Sequence, residues 1–314
     1  MQQPDLQHAH LPPAARLSRL IDGYLYTQLI VIAVRLRVPE LLAGEARTSA
    51  ELADALGIEA GTLRRVLRGL ASIEVLEEKD GDRFALTELG ELLRWDVAES
   101  LVGPALLRGE LNFPAAAQLH VSLTEGGIPF ERAFGMDLFS FLQQSNEPNE
   151  IFQTSMTARS RIEAEAVARV RDFSAFETIV DIGGGSGVLL EAVLRASPQL
   201  RGILFDLPAV AAMARQRFDE ANLAERTLVV EGNFFDGVTP GGDLYLLSRI
   251  IHDWSDEPAG VILRNVRRAI DPSGTLMLIE AISPERAIEQ PAIISMDLHM
   301  LMMLSGRERT AAES

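Results

Sequence analysis

Cysteine is absent from this 314-residue chain, which rules out disulfides, thiolate metal sites and a cysteine nucleophile. Lysine is nearly absent: Lys79 is the one example, and arginine carries the rest of the positive charge. A basic surface is lacking too, because the formal net charge is −16. Nucleic-acid binding needs a basic footprint to release counterions, so the balance argues against it and suits a neutral or cationic ligand. No apolar run exceeds Leu29–Val34, far short of a bilayer span. The first seventeen residues have no apolar core behind a basic start, so no secretory signal is read and a cytoplasmic location is expected. At this length and 47% hydrophobic residues, the expectation is a globular protein able to bury two domain cores.

Residues 1–15, with three prolines and two histidines, read as a mobile arm. From Leu17 to Ala43 apolar residues recur at helical spacing, with Pro39 as punctuation. The apolar face exceeds what a small domain needs for its own core and points to a subunit interface, hence a homodimer. Thr48 or Ser49 then caps a helix with Glu51 in its first turn, and Gly57 ends it. A second helix is expected over 60–72, followed by a hairpin turning at Asp80–Gly81. Helix–turn–helix plus hairpin is a winged-helix pattern. Arg64, Arg65 and Arg68 would face DNA if it were a reader. Residues 1–110 hold twelve basic against seventeen acidic residues, a poor phosphate binder, so a winged helix reused for dimerisation is the better reading. Residues 101–145 read as short helices that bridge the domains, and a longer helix is expected over about 150–172.

From Thr178 short apolar strands alternate with helices, which predicts an α/β fold with a doubly wound parallel sheet. Domain boundaries are expected at 1–110 and 111–314, with a helical linker over about 111–174. Ligands of such sheets sit outside the carboxyl ends of the strands, and the unusual residues fall at that edge. Asp181–Gly187, "DIGGGSG", joins the first strand to its helix. Glycines there allow a tight turn and let backbone N–H groups approach a ligand. The spacing G-x-G-x-G differs from a dinucleotide fingerprint, since Val188 stands where the third glycine would be. Asp206 ends the second strand, where an acid can accept both ribose hydroxyls of an adenosine. Asn233 and Phe234 follow the third, where a side-chain carbonyl and an aromatic face suit adenine.

These segments, with Leu204–Pro208, Glu231–Phe235, Ser248–Pro258 and Ser305–Thr310, stand in an order and spacing that resembles a known family. Residues from about 17 to 314 are similar to the S-adenosylmethionine-dependent small-molecule O-methyltransferases, among them plant caffeic-acid-type and bacterial polyketide- and phenazine-type enzymes. The resemblance implies a Rossmann-like class I methyltransferase domain behind a winged-helix dimerisation domain. It implies S-adenosyl-L-methionine as cofactor, S-adenosyl-L-homocysteine as product, no metal, and an aromatic hydroxyl as acceptor. Gly183, Gly185 and Asp206 are implied as cofactor contacts, with Asp181, Leu207, Asn233, Phe234, Ser248 and Arg249 along the same motifs. His252 is implied as general base, flanked by Glu280 and Glu308. Asn233 departs from the family, which has an acid there; its amide oxygen can still accept from the adenine amine, so retuned rather than lost binding is expected.

Physical chemistry supports the base. A phenol titrates near 10 and free histidine near 6.5, so full proton transfer would cost about 5 kcal/mol. Two nearby carboxylates favour imidazolium and narrow that gap, and one can fix the tautomer. Asp253 either orients the base or caps the following helix; Trp254 reads as core. Arg159 reads as a solvated helix face, with the cofactor carboxylate as its other option. Met296, Met300 and Met303 share a helical face, and soft sulfurs suit a pocket for a flat aromatic as well as a core or dimer stripe. Phe152 and Met156 are further pocket candidates, and His299 has no ligand-spaced partner. Family members continue for about one more helix and two strands, so truncated C-terminal strands and an exposed sheet edge are expected. Two rivals remain: a cofactor-binding relative that hydroxylates or decarboxylates, and a winged-helix regulator that senses the cofactor.

Overall fold

The structure, a computed structural model, describes residues 11–170 and 172–313. The chain divides into two compact units at the Glu110–Leu111 peptide.

The first unit contains α1 (Pro13–Ile21), α2 (Gly23–Arg35), α3 (Val38–Leu41), α4 (Ser49–Leu56), α5 (Ala60–Ser72), α6 (Glu88–Glu91) and α7 (Val102–Leu106). A small antiparallel sheet of β1 (Arg47–Thr48), β2 (Leu76–Lys79) and β3 (Arg83–Leu86) runs in the order β1-β3-β2. Residues 1–10 of the expected arm lie outside the described residues, and its remainder is corrected: helix begins at Pro13, whose fixed φ suits the first helical position. Thr48 and Glu51 form a reciprocal capping box at α4, a device that contributes about 1 kcal/mol, and Gly57 ends the helix with φ 67°. The hairpin pairs Lys79 with Arg83, so its turn holds three residues, with Gly81 and Asp82 both at positive φ. Arg64 pairs with Asp82 at 2.6 Å and Arg68 with Glu78 at 3.2 Å. Acids of the same module thus take up two of the three clustered arginines. Leu17, Leu20, Ile21, Tyr24 and Leu25 of α1 and α2 are exposed, Leu20 by 77%.

The second unit opens with α8 (Phe113–Ala116), α9 (Leu119–Glu125), α10 (Pro129–Phe134), α11 (Leu138–Gln144) and the long α12 (Asn146–Val170). Five strands follow: β4 (Thr178–Ile182), β5 (Arg201–Asp206), β6 (Thr227–Glu231), β7 (Leu244–Ser248) and β8 (Thr275–Ile279). Their order is β6-β5-β4-β7-β8 and every pair is parallel. Connecting helices are α13 (Val188–Ala196), α14 (Pro208–Glu220) and α15 (Asp256–Ala269), with α16 (Pro291–Met303) after β8. Alternation along the strands feeds two cores. Ile179, Leu204 and Leu246 pack with α13 and Phe218 on one face. Val180, Phe205, Tyr245 and Leu247 pack with Ile262 and Val266 of α15 on the other. The chain leaves β4 in opposite directions toward β5 and β7, which opens a crevice at the carboxyl ends of those strands. No single helix among the described residues is long and apolar enough to cross a membrane.

Candidate active site

Four glycines follow β4, and three are there for packing. A Cβ on Gly183 would meet Ile250 Cδ1 at 2.5 Å, on Gly184 the Asp181 carboxylate at 2.6 Å, and on Gly187 the Phe218 ring at 2.7 Å. Gly185, at φ 59°, has nothing within 4 Å of that position and so presents the open face of the loop. Its N–H donates to Asp206 Oδ2 at 2.8 Å, while Leu207 N–H donates to Oδ1 at 2.6 Å. Each Asp206 oxygen therefore keeps a free lone pair. Burial raises the Asp206 pKa, and those two N–H groups partly offset it.

Asp181 departs from the expectation of a direct cofactor contact. It is 1% exposed, behind Gly184, and neither carboxylate oxygen has a hydrogen-bond partner. Burial, reinforced by the Asp206 charge, pushes its pKa up to about 7. Asn233 is exposed, and its Oδ1 already accepts from Phe235 N–H at 2.9 Å. The side chain closes its own turn, leaving one carbonyl lone pair for anything else. Phe234 is half-buried with its ring edge-on to Phe235, and Asn265 donates to the carbonyls of both phenylalanines.

Past Ser248 the chain turns sharply. Arg249 takes φ 58°, and Ile251–Asp253 form one 3-10 turn that holds His252 at 5% exposure. Glu280, just beyond β8, pins this turn: its Oε1 accepts from Ile250 and Ile251 N–H at 3.1 and 2.9 Å. Glu308 reaches the imidazole from the segment after α16, with Oε1 2.9 Å from Nδ1. An acceptor-only carboxylate there assigns the proton to Nδ1 and leaves Nε2 as the basic nitrogen. Glu280 Oε2 lies 3.9 Å from Nδ1, and Asp253 Oδ1 3.3 Å from Nε2. Burial alone would lower the His252 pKa; the Glu308 hydrogen bond and the Asp253, Glu280 and Glu308 charges outweigh it, and the net shift is upward. Asp253 is itself raised to about 6 by burial. The helix-cap reading of Asp253 falls away, because Ser255 occupies the N-cap of α15.

Two arginines meet at one acid, Glu163. Arg249, an expected cofactor contact, grips Glu163 of α12 with its guanidinium at 2.6 and 3.2 Å and lies 3.6 Å from Glu308. The solvated-face expectation for Arg159 is corrected: it is half-buried, 3.5 Å from Glu163 and 3.2 Å from Met296 Sδ. Met300 and Met303 are buried, whereas Leu298 and Leu301 of the same helix are exposed. Phe152 and Met156 are half-buried on α12, and beside Met156 the Thr157 hydroxyl shares a 3.1 Å hydrogen bond with Ser186 of the glycine loop. His299 Nδ1 sits 3.1 Å from Asn112 Nδ2. Trp254 packs edge-on against Phe235 and is stacked on Phe139.

Several supporting residues were not singled out in the sequence by a role of their own. Asp297 of α16 accepts the Glu308 N–H at 2.8 Å. Arg309 donates to the Ile251 and Trp254 carbonyls, both at 3.1 Å, and so ties the Glu308 segment to the His252 turn. Gly306 lies so close that a Cβ would come within 1.8 Å of the His252 carbonyl oxygen. The Arg309 and Gly306 contacts reach more than fifty residues back along the chain, a separation that leaves no periodicity to read.

A parallel sheet in this order, with a glycine loop after its first strand and an acid ending its second, has the class I methyltransferase fold. Residues 116–314 match the O-methyltransferase domain, and residues 18–94 match the O-methyltransferase dimerisation domain. The chain belongs to the O-methyltransferase family and is a methyltransferase. It is 39% identical over 304 residues to phenazine O-methyltransferase PhzM of Lysobacter antibioticus, covering 96% of this chain and 89% of that one. O-demethylpuromycin-O-methyltransferase of Streptomyces alboniger is 38% identical, over 94% of this chain and 80% of its own. Phenazine-1-carboxylate N-methyltransferase of Pseudomonas aeruginosa is 31% identical, over 98% and 91%. The solved structure of LaPhzM superposes with a TM-score of 0.92 over 96% of this chain and 91% of that one, at 39% identity. An O-methyltransferase from neocarzinostatin biosynthesis, solved with S-adenosyl-L-homocysteine and 1,4-dihydroxy-2-naphthoic acid, superposes at 0.82 with 32% identity, over 97% and 90%.

Proposed function

We propose that the protein is an S-adenosylmethionine-dependent O-methyltransferase that methylates a hydroxyl of an aromatic small molecule, with His252 as general base. The observation that carries this reading is the buried His252–Glu308 pair, 2.9 Å apart at the carboxyl edge of the sheet. The residues present fit the cofactor on two counts: Gly185 offers an open, left-handed approach, and Asp206 keeps free lone pairs for two hydroxyls. Gly183, Leu207, Asn233, Phe234 and Ser248 complete the cofactor side, with Asp181 acting through the loop it supports. The bound cofactor supplies a methyl group on a sulfonium sulfur.

His252 Nε2 takes the acceptor's hydroxyl proton as the oxygen becomes a nucleophile. Glu308 holds the tautomer and stabilises the imidazolium, and Glu280 adds a second negative charge while fixing the turn. Asp253, near Nε2, favours imidazolium further. Phe152, Met156, Met296 and Met300 are assigned to the acceptor's apolar contacts. The reading uses no metal: His252, Glu280 and Glu308 offer atoms within 4.8 Å of one another, but Glu308 is engaged by the imidazole and Glu280 by two backbone N–H groups. Dialysis against a chelator should therefore leave turnover unchanged. The exposed face of α1 and α2, inside the matched dimerisation domain, supports a homodimer, and the negative charge supports no nucleic-acid partner. A cytoplasmic location accords with this reading.

The His252→Ala variant is expected to bind the cofactor normally and to lose about a hundredfold or more in turnover of a dihydroxynaphthoate acceptor. Near-normal turnover would mean that positioning alone drives the reaction. The N-methyltransferase relative favours one second reading, methylation of nitrogen. Product NMR separates a methoxy from an N-methyl group.

A further inference from the structure

Glu163 belongs to none of the sequence motifs, yet its carboxylate sits between two guanidiniums. Arg249 donates to both of its oxygens, at 2.6 and 3.2 Å, and Arg159 lies 3.5 Å away. Arg249 in turn holds φ 58°, a left-handed conformation that is unfavourable for a non-glycine residue and persists only where surroundings over-determine it. Its backbone N–H is fixed on the Ile279 carbonyl at 3.0 Å, so the side chain leaves the sheet edge from a set point. Nη1 stands 3.6 Å from Glu308 Oε1, the same oxygen that accepts from His252 at 2.9 Å. That spacing is close enough for Coulomb attraction and too long for a hydrogen bond. Imidazole and guanidinium thus share one carboxylate oxygen, and only one of them bonds to it.

We propose that Glu163 is a positioning residue for the proton transfer at His252, holding the Arg249 guanidinium back from Glu308 so that Glu308 stays hydrogen-bonded to the imidazole. The inference rests on His252 being the base. Without the Glu163 charge, Arg249 is free to close on Glu308 as a charge-assisted pair and draw it off Nδ1. The groups that bear on His252 are then Asp253 on its own turn, Glu280 after β8, Glu308 with Asp297 behind it, Arg309, Arg249 after β7, and Arg159 and Glu163 on α12. Losing Glu163 leaves Arg159 and Arg249 without the anion between them. Both effects disfavour imidazolium, so the His252 pKa falls. Losing Arg249 has the opposite sign.

The test is an NMR titration of the imidazole of His252 in the full protein without acceptor, its resonance identified by loss in His252→Ala. In Glu163→Gln the midpoint should fall by about one pH unit. In Arg249→Asn, which tolerates the left-handed backbone, it should rise. Glu163→Asp, which keeps the charge, should restore most of the wild-type midpoint. Single-turnover methyl transfer should track the same order, with the acid limb of Glu163→Gln displaced to lower pH and its plateau reduced about tenfold. An unmoved midpoint in Glu163→Gln overturns the inference, and should that variant not fold, an Arg249→Asn midpoint that fails to rise does so. If the midpoints move as stated but His252→Ala turns over normally, the base assignment fails instead.

Discussion

At the scale of single residues, the site holds acids, Asp181, Asp206, Asp253 and Glu280, whose pKa values burial raises. Asp181 has no hydrogen bond to offset its burial, and its pKa is about 7. An unfolded aspartate titrates near 3.9, so between those values the folded state holds a proton that the unfolded chain has released. Stability therefore falls as pH rises through that window. Asp181→Asn removes the penalty and should gain stability over wild type at pH 8 relative to pH 5, read by denaturant unfolding without cofactor. Parallel pH dependences would contradict the assignment. Asp206, one strand away, differs because two backbone N–H groups reach it. Sequence placed both acids at the same edge; whether a side chain faces the open side or the core depends on packing around Gly184 and Gly187, which no local pattern encodes.

At the scale of elements, the segment after α16 is as much part of the site as the His252 turn. Glu308, Arg309 and Gly306 all bear on that turn, and Gly306 leaves no room for a methyl group. Gly306→Ala should displace the segment, lengthen the Glu308–His252 contact and lower turnover by about tenfold or more, with cofactor affinity retained. A variant with normal turnover would show that the segment can give way. Local rules made the strands, glycine turn and capped helices readable: apolar runs of five or six residues between helical patterns admit few other folds. The His252–Glu308 partnership was legible only through the resemblance of whole motifs. The Glu163–Arg249 link was not legible at all, since it joins elements 86 residues apart in sequence and near in space.

At the scale of the molecule, the O-methyltransferase dimerisation domain and the apolar face on α1 and α2 carry a prediction of their own. Leu20→Arg should shift the protein from dimer to monomer in sedimentation, and an unchanged dimer would place the interface elsewhere. The two units have separate tasks in this account, assembly for the first and methyl transfer for the second. Three acids of the second unit, Glu280, Glu308 and Asp253, surround one imidazole, and the proposed function has them stabilise the proton that a hydroxyl releases to it. The most direct measurement of that claim is the pH dependence of single-turnover methyl transfer to a dihydroxynaphthoate at saturating cofactor, for wild type and His252→Ala. The wild type should show an acid limb above the ordinary histidine value and form a methoxy product. The variant should lose the limb and about a hundredfold in rate. A variant that keeps both the limb and the rate would contradict the account.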